Sequence, residues 1–277
     1  MSESLDQSLV DTWRGWIGRE ERRTEALDVE ALRRFAAAVG AGLEVEAAPP
    51  PLAHWAFFLP VAADDQIGED GHPKRGGFLP PVTLPRRMFA ASSMSFDAPL
   101  ALGAEAEMVS TILDVKHRSG RTGDLVFVEV ERVIRQAGAQ KLREQQTIVY
   151  REAGDPTPAP TLKPHVLERE DELWSPTPVN LFRFSAVTFN SHRIHYDRPY
   201  AQGEEGYPDL VVHGPFTAAR LHDLATRRLG RPLKRFAFRA TSPIFVGQPV
   251  KLTGDVATGV FKAIRCDGAE AMTAEAG

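Results

Sequence analysis

Apolar residues recur at the spacing of an α-helix in three parts of the chain. Helices are predicted over residues 8–18, 30–40 and 214–229. In the second of these, apolar side chains from Leu32 to Val39 fall at i, i+3, i+4 and i+7, and Asp28 can cap the first turn. In the third, Pro215 suits the first turn because it needs no amide partner, and Gly230 can end the helix.

Segments rich in Val, Ile, Phe and Thr predict strands. They cover residues 110–117, 124–135, 141–150, 180–185, 234–240, 243–246, 250–257, 260–266 and 270–276. A helix followed by antiparallel strands occurs in each half, which indicates an α+β fold class made of two copies of one unit. We expect the proline-rich residues 151–178 to link a unit at 1–150 to a second unit at 179–277.

Charge and cysteine content exclude several classes of protein. The 277 residues carry a formal net charge of -4, so no overall basic field is available to hold nucleic acid. The single Cys266 cannot form an intramolecular disulfide, and no apolar run approaches the roughly 18 residues of a membrane span. The first residues lack the basic and apolar regions of a signal peptide. We therefore expect a cytoplasmic protein that binds neither nucleic acid nor membrane.

Polar residues concentrate in one stretch of the second half. Asn190, His192, His195 and Asp197 fall within eight positions, and Val-His-Gly-Pro follows at 212–215. A zinc site from these groups is disfavoured, because His-x-x-His alone lacks the remaining features of known zinc motifs. A nucleophilic triad is also disfavoured, because the chain has no Gly-x-Ser-x-Gly elbow. Histidines satisfied in the core and a turn asparagine remain the plain structural alternative.

General acid/base chemistry on a thioester fits this stretch better. It needs a histidine that titrates near neutral pH, a neighbour that orients water, and an amide directed at a developing oxyanion. His195 and Asn190 supply the first two, and Gly214 supplies the third because the first amides of a helix lack intrahelical partners. We predict these three as catalytic. No metal is predicted.

The same residues resemble the hydratase motif of the MaoC-like proteins, Phe-Ser-x-x-Thr-Gly-Asp-x-Asn-Pro-x-His. Phe-Ser at 184–185 and Thr188 match it, and His195 matches the catalytic histidine. Asn190 stands at the position of the catalytic aspartate, and an amide cannot accept a proton from water. Val-His-Gly at 212–214 resembles the segment whose glycine amide lines the oxyanion hole.

One branch is resembled more closely, the hydroxyacyl-thioester dehydratase type 2 group with its itaconyl-CoA and mesaconyl-CoA hydratases. The likeness includes Phe-Arg-Phe-Ser-Ala-Val-Thr-Phe-Asn-Ser-His-Arg-Ile-His-Tyr-Asp at 182–197 and Arg-Gly-Gly-Phe-Leu-Pro-Pro-Val at 75–82. It implies a double hot-dog fold, in which two antiparallel sheets each wrap a central helix. It also implies a non-catalytic N-terminal unit that contributes to the substrate pocket and a catalytic C-terminal unit.

The expected activity is reversible hydration of an enoyl-CoA to a 3-hydroxyacyl-CoA, with a small branched dicarboxylic acyl group such as itaconyl or mesaconyl, giving citramalyl-CoA. CoA is then a substrate carrier, and no cofactor is expected. The residues predicted to bind substrate are His192, Arg193, His213, Arg86 and Arg87, with Arg193 pairing with the distal carboxylate. The alternatives are a (3R)-hydroxyacyl-ACP dehydratase of fatty-acid synthesis and a catalytically silent acyl-thioester-binding module. A monomer and a homodimer both fit.

Overall fold

The computed structural model describes residues 5–120 and 123–277. Its α-helices are α1 (Gln7–Arg14), α2 (Val29–Val39), α3 (Pro178–Val187), α4 (Arg198–Gly203) and α5 (Gly214–Leu229). Its N-terminal strands are β1 (Glu20–Ala26), β2 (Arg86–Phe96), β3 (Glu105–Gly120), β4 (Gly123–Gln136) and β5 (Ala139–Arg151). The remaining strands are β6 (Glu172–Trp174), β7 (Arg235–Ala240), β8 (Val250–Asp255), β9 (Val260–Ile264) and β10 (Glu270–Ala276).

The strands form one antiparallel sheet with the order β1-β3-β4-β5-β2-β7-β10-β9-β8-β6. Read inward from each edge, the two halves of this order are the same: first, third, fourth, fifth and second strand of the half. Each half also places one long helix between its first and second strands, α2 in the first half and α5 in the second. The halves are joined where β2 pairs with β7.

The main hydrophobic core lies beneath both long helices and is shared by the two halves. It contains Phe35 of α2 and Phe216 of α5 together with Phe236 of β7, all almost fully buried. A second, smaller cluster packs α1 against the N-terminal sheet through Trp13 and Tyr150. The position of α5 follows from this core, because its apolar face packs on the C-terminal strands and leaves its first turn beside β2.

Most predicted elements are confirmed. Both N-terminal helices form, Asp28 caps α2 through the amides of Glu30 and Ala31, and Gly40 ends it in a left-handed conformation. The helix predicted over 214–229 has those bounds. The strands predicted over 110–117, 124–135, 141–150, 234–240, 250–257, 260–266 and 270–276 form with small shifts at their ends. The chain is an α+β protein, as predicted.

Two predictions were wrong. Residues 180–185 lie in α3, not in a strand, because Thr177 and Asn180 form a reciprocal capping box and Pro178 occupies the first turn. Residues 243–246 form no ladder strand, and Phe245 makes only an isolated bridge to Val211. The sequence pattern also missed β2 and β6, and it missed β1, an edge strand of mostly charged residues with no fully buried position.

No helix in the described ranges is long and apolar enough to cross a bilayer. The prediction that the chain begins without a signal peptide rests partly on residues 1–4, which lie outside the described ranges.

Candidate active site

The predicted catalytic residues line one cavity of about 410 Å³ at the first turn of α5. The loop between α3 and α4 forms one wall and β2 another. Its lining includes His72, Arg87, Phe89, Arg151, Asn190, His192, His195, His213 and Gly214. A larger groove of about 730 Å³ lies at the seam of β2 and β7 and is lined by other residues, none of them a histidine.

His195 is held in one orientation and one tautomer. It lies in a short 3-10 turn, is buried, and its Nδ1 is 2.7 Å from the carbonyl oxygen of Val211. A carbonyl only accepts, so Nδ1 carries the hydrogen and Nε2 keeps a lone pair. Burial, followed by the neighbouring His213 and His192, holds the pKa of His195 well below its usual value. His195 is therefore a neutral proton acceptor.

His213 stacks on His195 and precedes the first turn of α5. The two ring centroids are 3.6 Å apart, and Nε2 of His213 is 2.8 Å from Oγ of Ser185. Its Nδ1 is buried without a hydrogen-bond partner in the described structure, so a charged ring would be poorly solvated. Burial accordingly lowers the pKa of His213 to about 3. We infer that His213 packs and orients His195.

Gly214 is the first residue of α5 and presents a free amide. No hydrogen bond from its N–H is made within the described residues, and His213 provides no side-chain cap. A Cβ at this position would lie 3.6 Å from the carbonyl oxygen of Phe89. The glycine thus leaves room for a substrate carbonyl to approach an unpaired N–H at the positive end of the helix dipole.

Asn190 lines the cavity but is partly used by its own loop. Its side-chain Oδ1 accepts the backbone N–H of His192 at 3.0 Å. The preceding Phe189 has a φ of 48° and is exposed, a conformation that is costly for a bulky residue and keeps the turn between α3 and Asn190 tight. The amide nitrogen of Asn190 makes no hydrogen bond to the described residues and remains available as a donor.

Two predicted substrate-binding residues lie elsewhere. Arg86 does not line the cavity: it is buried, with Nε 3.4 Å from the carboxylate of Glu205. Arg193 also lies outside, because Asp197 accepts from its guanidinium at 2.8 and 3.0 Å and the ring of Tyr200 lies 4.0 Å beneath it. These contacts hold the Arg193 side chain against its own loop, where it is not placed to bind a distal carboxylate.

His192 does line the cavity, and it meets residues that the sequence did not single out. Its ring centroid is 4.1 Å from that of His72, and its Nε2 is 3.9 Å from the buried carboxylate of Glu205. Nδ1 of His72 in turn is 3.0 Å from the carboxylate of Asp70. Ligand atoms of Asp70, His72 and His192 lie within 4.8 Å of one another, which is where the described residues could hold a metal.

The loop that carries Asp70 and His72 is fastened to the catalytic loop by its backbone. The amide of Arg193 donates to the carbonyl of Asp70 at 3.0 Å, and Ser191 Oγ donates to the carbonyl of Gly71. Gly71 has a φ of 85°, and a Cβ there would lie 1.8 Å from the Ser191 carbonyl oxygen. Only glycine fits this contact. The run Gly-His-Pro directly after an acidic residue was the signal in the sequence that could have indicated this loop.

Two arginines line the cavity without an ion-pair partner. Arg87 and Arg151 lie on the paired strands β2 and β5, and neither has a carboxylate within 4.0 Å among the described residues. Nε of Arg151 is buried with no hydrogen-bond partner in the described structure. Sequence reasoning predicted Arg87 and missed Arg151, whose position at the end of a strand gave no signal. These two cations are available to an anionic ligand.

The geometry agrees with comparisons to known proteins. The family "Hydroxyacyl-thioester dehydratase type 2" matches residues 52–246. The mesaconyl-C(4)-CoA hydratase of Chloroflexus aurantiacus is 46% identical over 249 residues, which cover 87% of this chain and 88% of that protein. The chain belongs to the hydroxyacyl-thioester dehydratase type 2 family. Its curated relatives are named hydratases and dehydratases, and it is accordingly a hydro-lyase.

Solved structures of MaoC-like proteins share the fold of this family member. A MaoC-like dehydratase from Phytophthora capsici matches with a TM-score of 0.68 at 14% identity, over 97% of this chain and 98% of that one. A Mycobacterium tuberculosis protein with a double hotdog fold matches with a TM-score of 0.53 at 13% identity, over 94% and 95%. The predicted double hot-dog is confirmed, with its two expected sheets joined into one by the pairing of β2 and β7.

Proposed function

We propose that the chain catalyses reversible hydration of an enoyl-CoA thioester to a 3-hydroxyacyl-CoA, without a redox or metal cofactor. One observation carries the proposal: the free Nε2 of His195 and the unpartnered amide of Gly214 line the same cavity. A neutral base and an oxyanion donor are the two groups that addition of water to a conjugated thioester requires.

In the hydration direction, water loses a proton to Nε2 of His195 while its oxygen forms a bond to the β-carbon. The π electrons move to the thioester oxygen, which becomes an enolate stabilised by the amide of Gly214 and the dipole of α5. The enolate collapses as the α-carbon takes the proton back from His195. The amide nitrogen of Asn190 donates to the water or to the β-hydroxyl. The sum of these steps adds one molecule of water across the double bond.

We further propose a small branched dicarboxylic acyl group, itaconyl or mesaconyl, with citramalyl-CoA as the product. The enolate step applies directly to mesaconyl-CoA, whose double bond is conjugated with the thioester; itaconyl-CoA gives the same product by this route only after its double bond shifts into conjugation. Relatedness to a protein named mesaconyl-C(4)-CoA hydratase supports it. The cavity supports it too, because Arg87 and Arg151 replace Arg193 as cations for the distal carboxylate. A long apolar tunnel, as a (3R)-hydroxyacyl-ACP dehydratase needs, would not be expected to have two unpaired arginines in its wall.

The distances along β2 fit a short diacid. Phe89 abuts Gly214, and Arg87 lies two residues before it, about 7 Å along the strand. The two carboxyl carbons of a four-carbon diacid are separated by three bonds, about 4 Å, and an arginine side chain covers the remaining gap. The phosphates of CoA lie beyond the pantetheine arm, too far from the thioester to meet the same arginine.

The test is a panel of enoyl-CoA thioesters that includes itaconyl-, mesaconyl- and crotonyl-CoA, with loss of the enoyl absorbance and mass detection of the hydroxy product. We expect the dicarboxylic thioesters to be hydrated and His195→Ala to lose at least about 100-fold in kcat in a folded protein. Binding of thioesters without any turnover would instead identify a silent binding module. Turnover restricted to acyl-ACP would identify the dehydratase alternative.

A further inference from the structure

The catalytic water needs more acceptors than the catalytic loop supplies. A water that attacks carbon has two protons to donate, and His195 Nε2 accepts one of them. The aspartate that would accept the other is replaced by Asn190, whose side-chain oxygen already accepts the His192 amide at 3.0 Å. The remaining amide nitrogen of Asn190 is a donor and cannot serve as a second acceptor.

A carboxylate and an imidazole reach this place from the other half of the chain. Asp70 and His72 belong to the loop before β2, and backbone contacts of Asp70 and Gly71 to Ser191 and Arg193 fix that loop against the catalytic one. His72 lines the cavity, and its ring lies against that of His192, which makes an edge contact with the His195 ring at 5.4 Å between centroids.

The hydrogen bonds of Asp70 define the tautomer of His72. The two carboxylate oxygens of Asp70 lie 2.9 Å from the backbone N–H and 3.0 Å from Nδ1 of His72. Nδ1 therefore carries the hydrogen, and Nε2 has a free lone pair. Burial and the nearby Arg87 lower the pKa of His72 despite the opposing effect of Asp70, so the ring is a neutral acceptor.

We propose that His72, oriented by Asp70, is the second proton-accepting group for the attacking water and takes the place of the carboxylate missing at position 190. This assignment rests on the proposed hydration. Water donates one hydrogen bond to Nε2 of His72 and the other to Nε2 of His195, which directs a lone pair of its oxygen to the β-carbon. His195 keeps the transferred proton until the α-carbon takes it, and His72 accepts from the hydroxyl that forms.

The same three residues could also hold a metal, but the charge next to them argues for a proton acceptor. Burial has the largest effect on the pKa of both groups; the pKa of Asp70 is lowered chiefly by His72 and further by Arg87, and that of His72 is lowered by burial and then by Arg87. The positive charge of Arg87 disfavours a divalent cation at this cluster. The only carboxylate among the three, Asp70, is already engaged by two donors from His72.

The experiment compares His72→Asn and His72→Gln with a matched control. Asparagine keeps a donor for Asp70 and removes the Nε2 acceptor, whereas glutamine can place an amide oxygen near the lost nitrogen. We expect His72→Asn to lower kcat about 100-fold on the best thioester of the panel with little change in KM, and glutamine to recover part of the loss. The control is His117→Asn: His117 pairs with Asp124 at 2.8 Å, is 17% exposed against 20% for His72, and lies outside the cavity.

Asp70→Asn tests the positioning role separately. Its amide nitrogen would donate to Nδ1 and force the hydrogen onto Nε2, so we expect a loss of kcat comparable to His72→Asn and a reversed His72 tautomer in ¹⁵N NMR spectra. A folded His72→Asn protein with turnover within about threefold of wild type would overturn the role of His72 and leave the proposed hydration standing. Wild-type protein without turnover would overturn both this assignment and the proposed function. Stoichiometric bound metal whose removal abolishes turnover would overturn it as well.

Discussion

The proposed proton chemistry of the cavity depends on which nitrogen of each histidine carries a hydrogen. His195 donates to a carbonyl, and His72 donates to a carboxylate, so in both rings Nε2 is left as the acceptor. His213 serves differently, since it packs face to face on His195 with one nitrogen unpartnered in the described structure. Three imidazoles in one site, of which His195 and His213 are buried and His72 is partly exposed, thus differ in the groups they bond.

The two cavity arginines should determine the preference for dicarboxylic thioesters. We expect Arg87→Met and Arg151→Met each to reduce kcat/KM for mesaconyl- or itaconyl-CoA by about 10- to 100-fold and to change crotonyl-CoA turnover much less, since a charge-assisted hydrogen bond is lost. Arg183→Met, on the exposed face of α3, is the matched control. Equal losses for charged and uncharged substrates would argue against carboxylate recognition.

At the scale of the elements, the start of α5 is the feature on which the proposed oxyanion stabilisation depends. Gly214→Ala should keep or slightly raise stability, because alanine is the better helix former and its Cβ meets only ordinary contact with Phe89. The methyl group nevertheless occupies space beside the free amide, so we expect kcat/KM to fall at least about 10-fold. Thermal unfolding and steady-state kinetics together check this.

Gly203→Ala at the end of α4 is the control for the alanine substitution itself, since a Cβ there meets nothing within 4 Å. An unimpaired Gly214→Ala enzyme would show that the carbonyl does not approach this amide.

The contact between the two loops should be sensitive to a single methyl group. Gly71→Ala places a Cβ 1.8 Å from the Ser191 carbonyl oxygen, whereas Gly18→Ala, at nearly the same φ (84° against 85°), meets nothing within 4 Å. Both changes cost about 1–2 kcal/mol for the left-handed backbone. We expect Gly71→Ala to lose about 1–3 kcal/mol more, measured by denaturant unfolding, and to lose turnover as His72 is displaced. Equal destabilisation of the two variants would contradict the tight contact.

The elements that the sequence predicted well are those whose signals are local. The apolar spacing and the glycine-proline ends of α5 determine that helix by themselves, and the motif around His195 and Gly214 singled out two residues that line one cavity. The pairing of Asp70 and His72 with that site joins residues more than a hundred positions apart, and no local pattern encodes it. Arg193 was misjudged because sequence adjacency to His195 does not say toward which side a 3-10 turn directs each side chain.

For the whole molecule, the buried neutral histidines make stability depend on pH. The pKa of His213 is about 3 in the folded chain and near 6.5 when unfolded, so on acidification the unfolded chain binds the proton first. The free energy of unfolding should therefore fall as pH is lowered from about 6.5 toward 3, with at most about 1.4 kcal/mol per pH unit from this group. His213→Gln, which can still bond Ser185, should show a shallower dependence in denaturant unfolding at several pH values. Parallel curves for the two proteins would contradict a titrating His213.

The two long helices occupy equivalent places in the duplicated strand order, yet their first turns differ. Asp28 closes the start of α2 with its own carboxylate, whereas the start of α5 is left uncapped beside the cavity. Two identical subunits related by a twofold axis would have to close both helix starts or open both. Because the halves are joined in one chain, each can change without the other. The start of α2 is closed by its own cap, the start of α5 is left open for the proposed chemistry, and the loop of Asp70 and His72 from the first half contacts the second half.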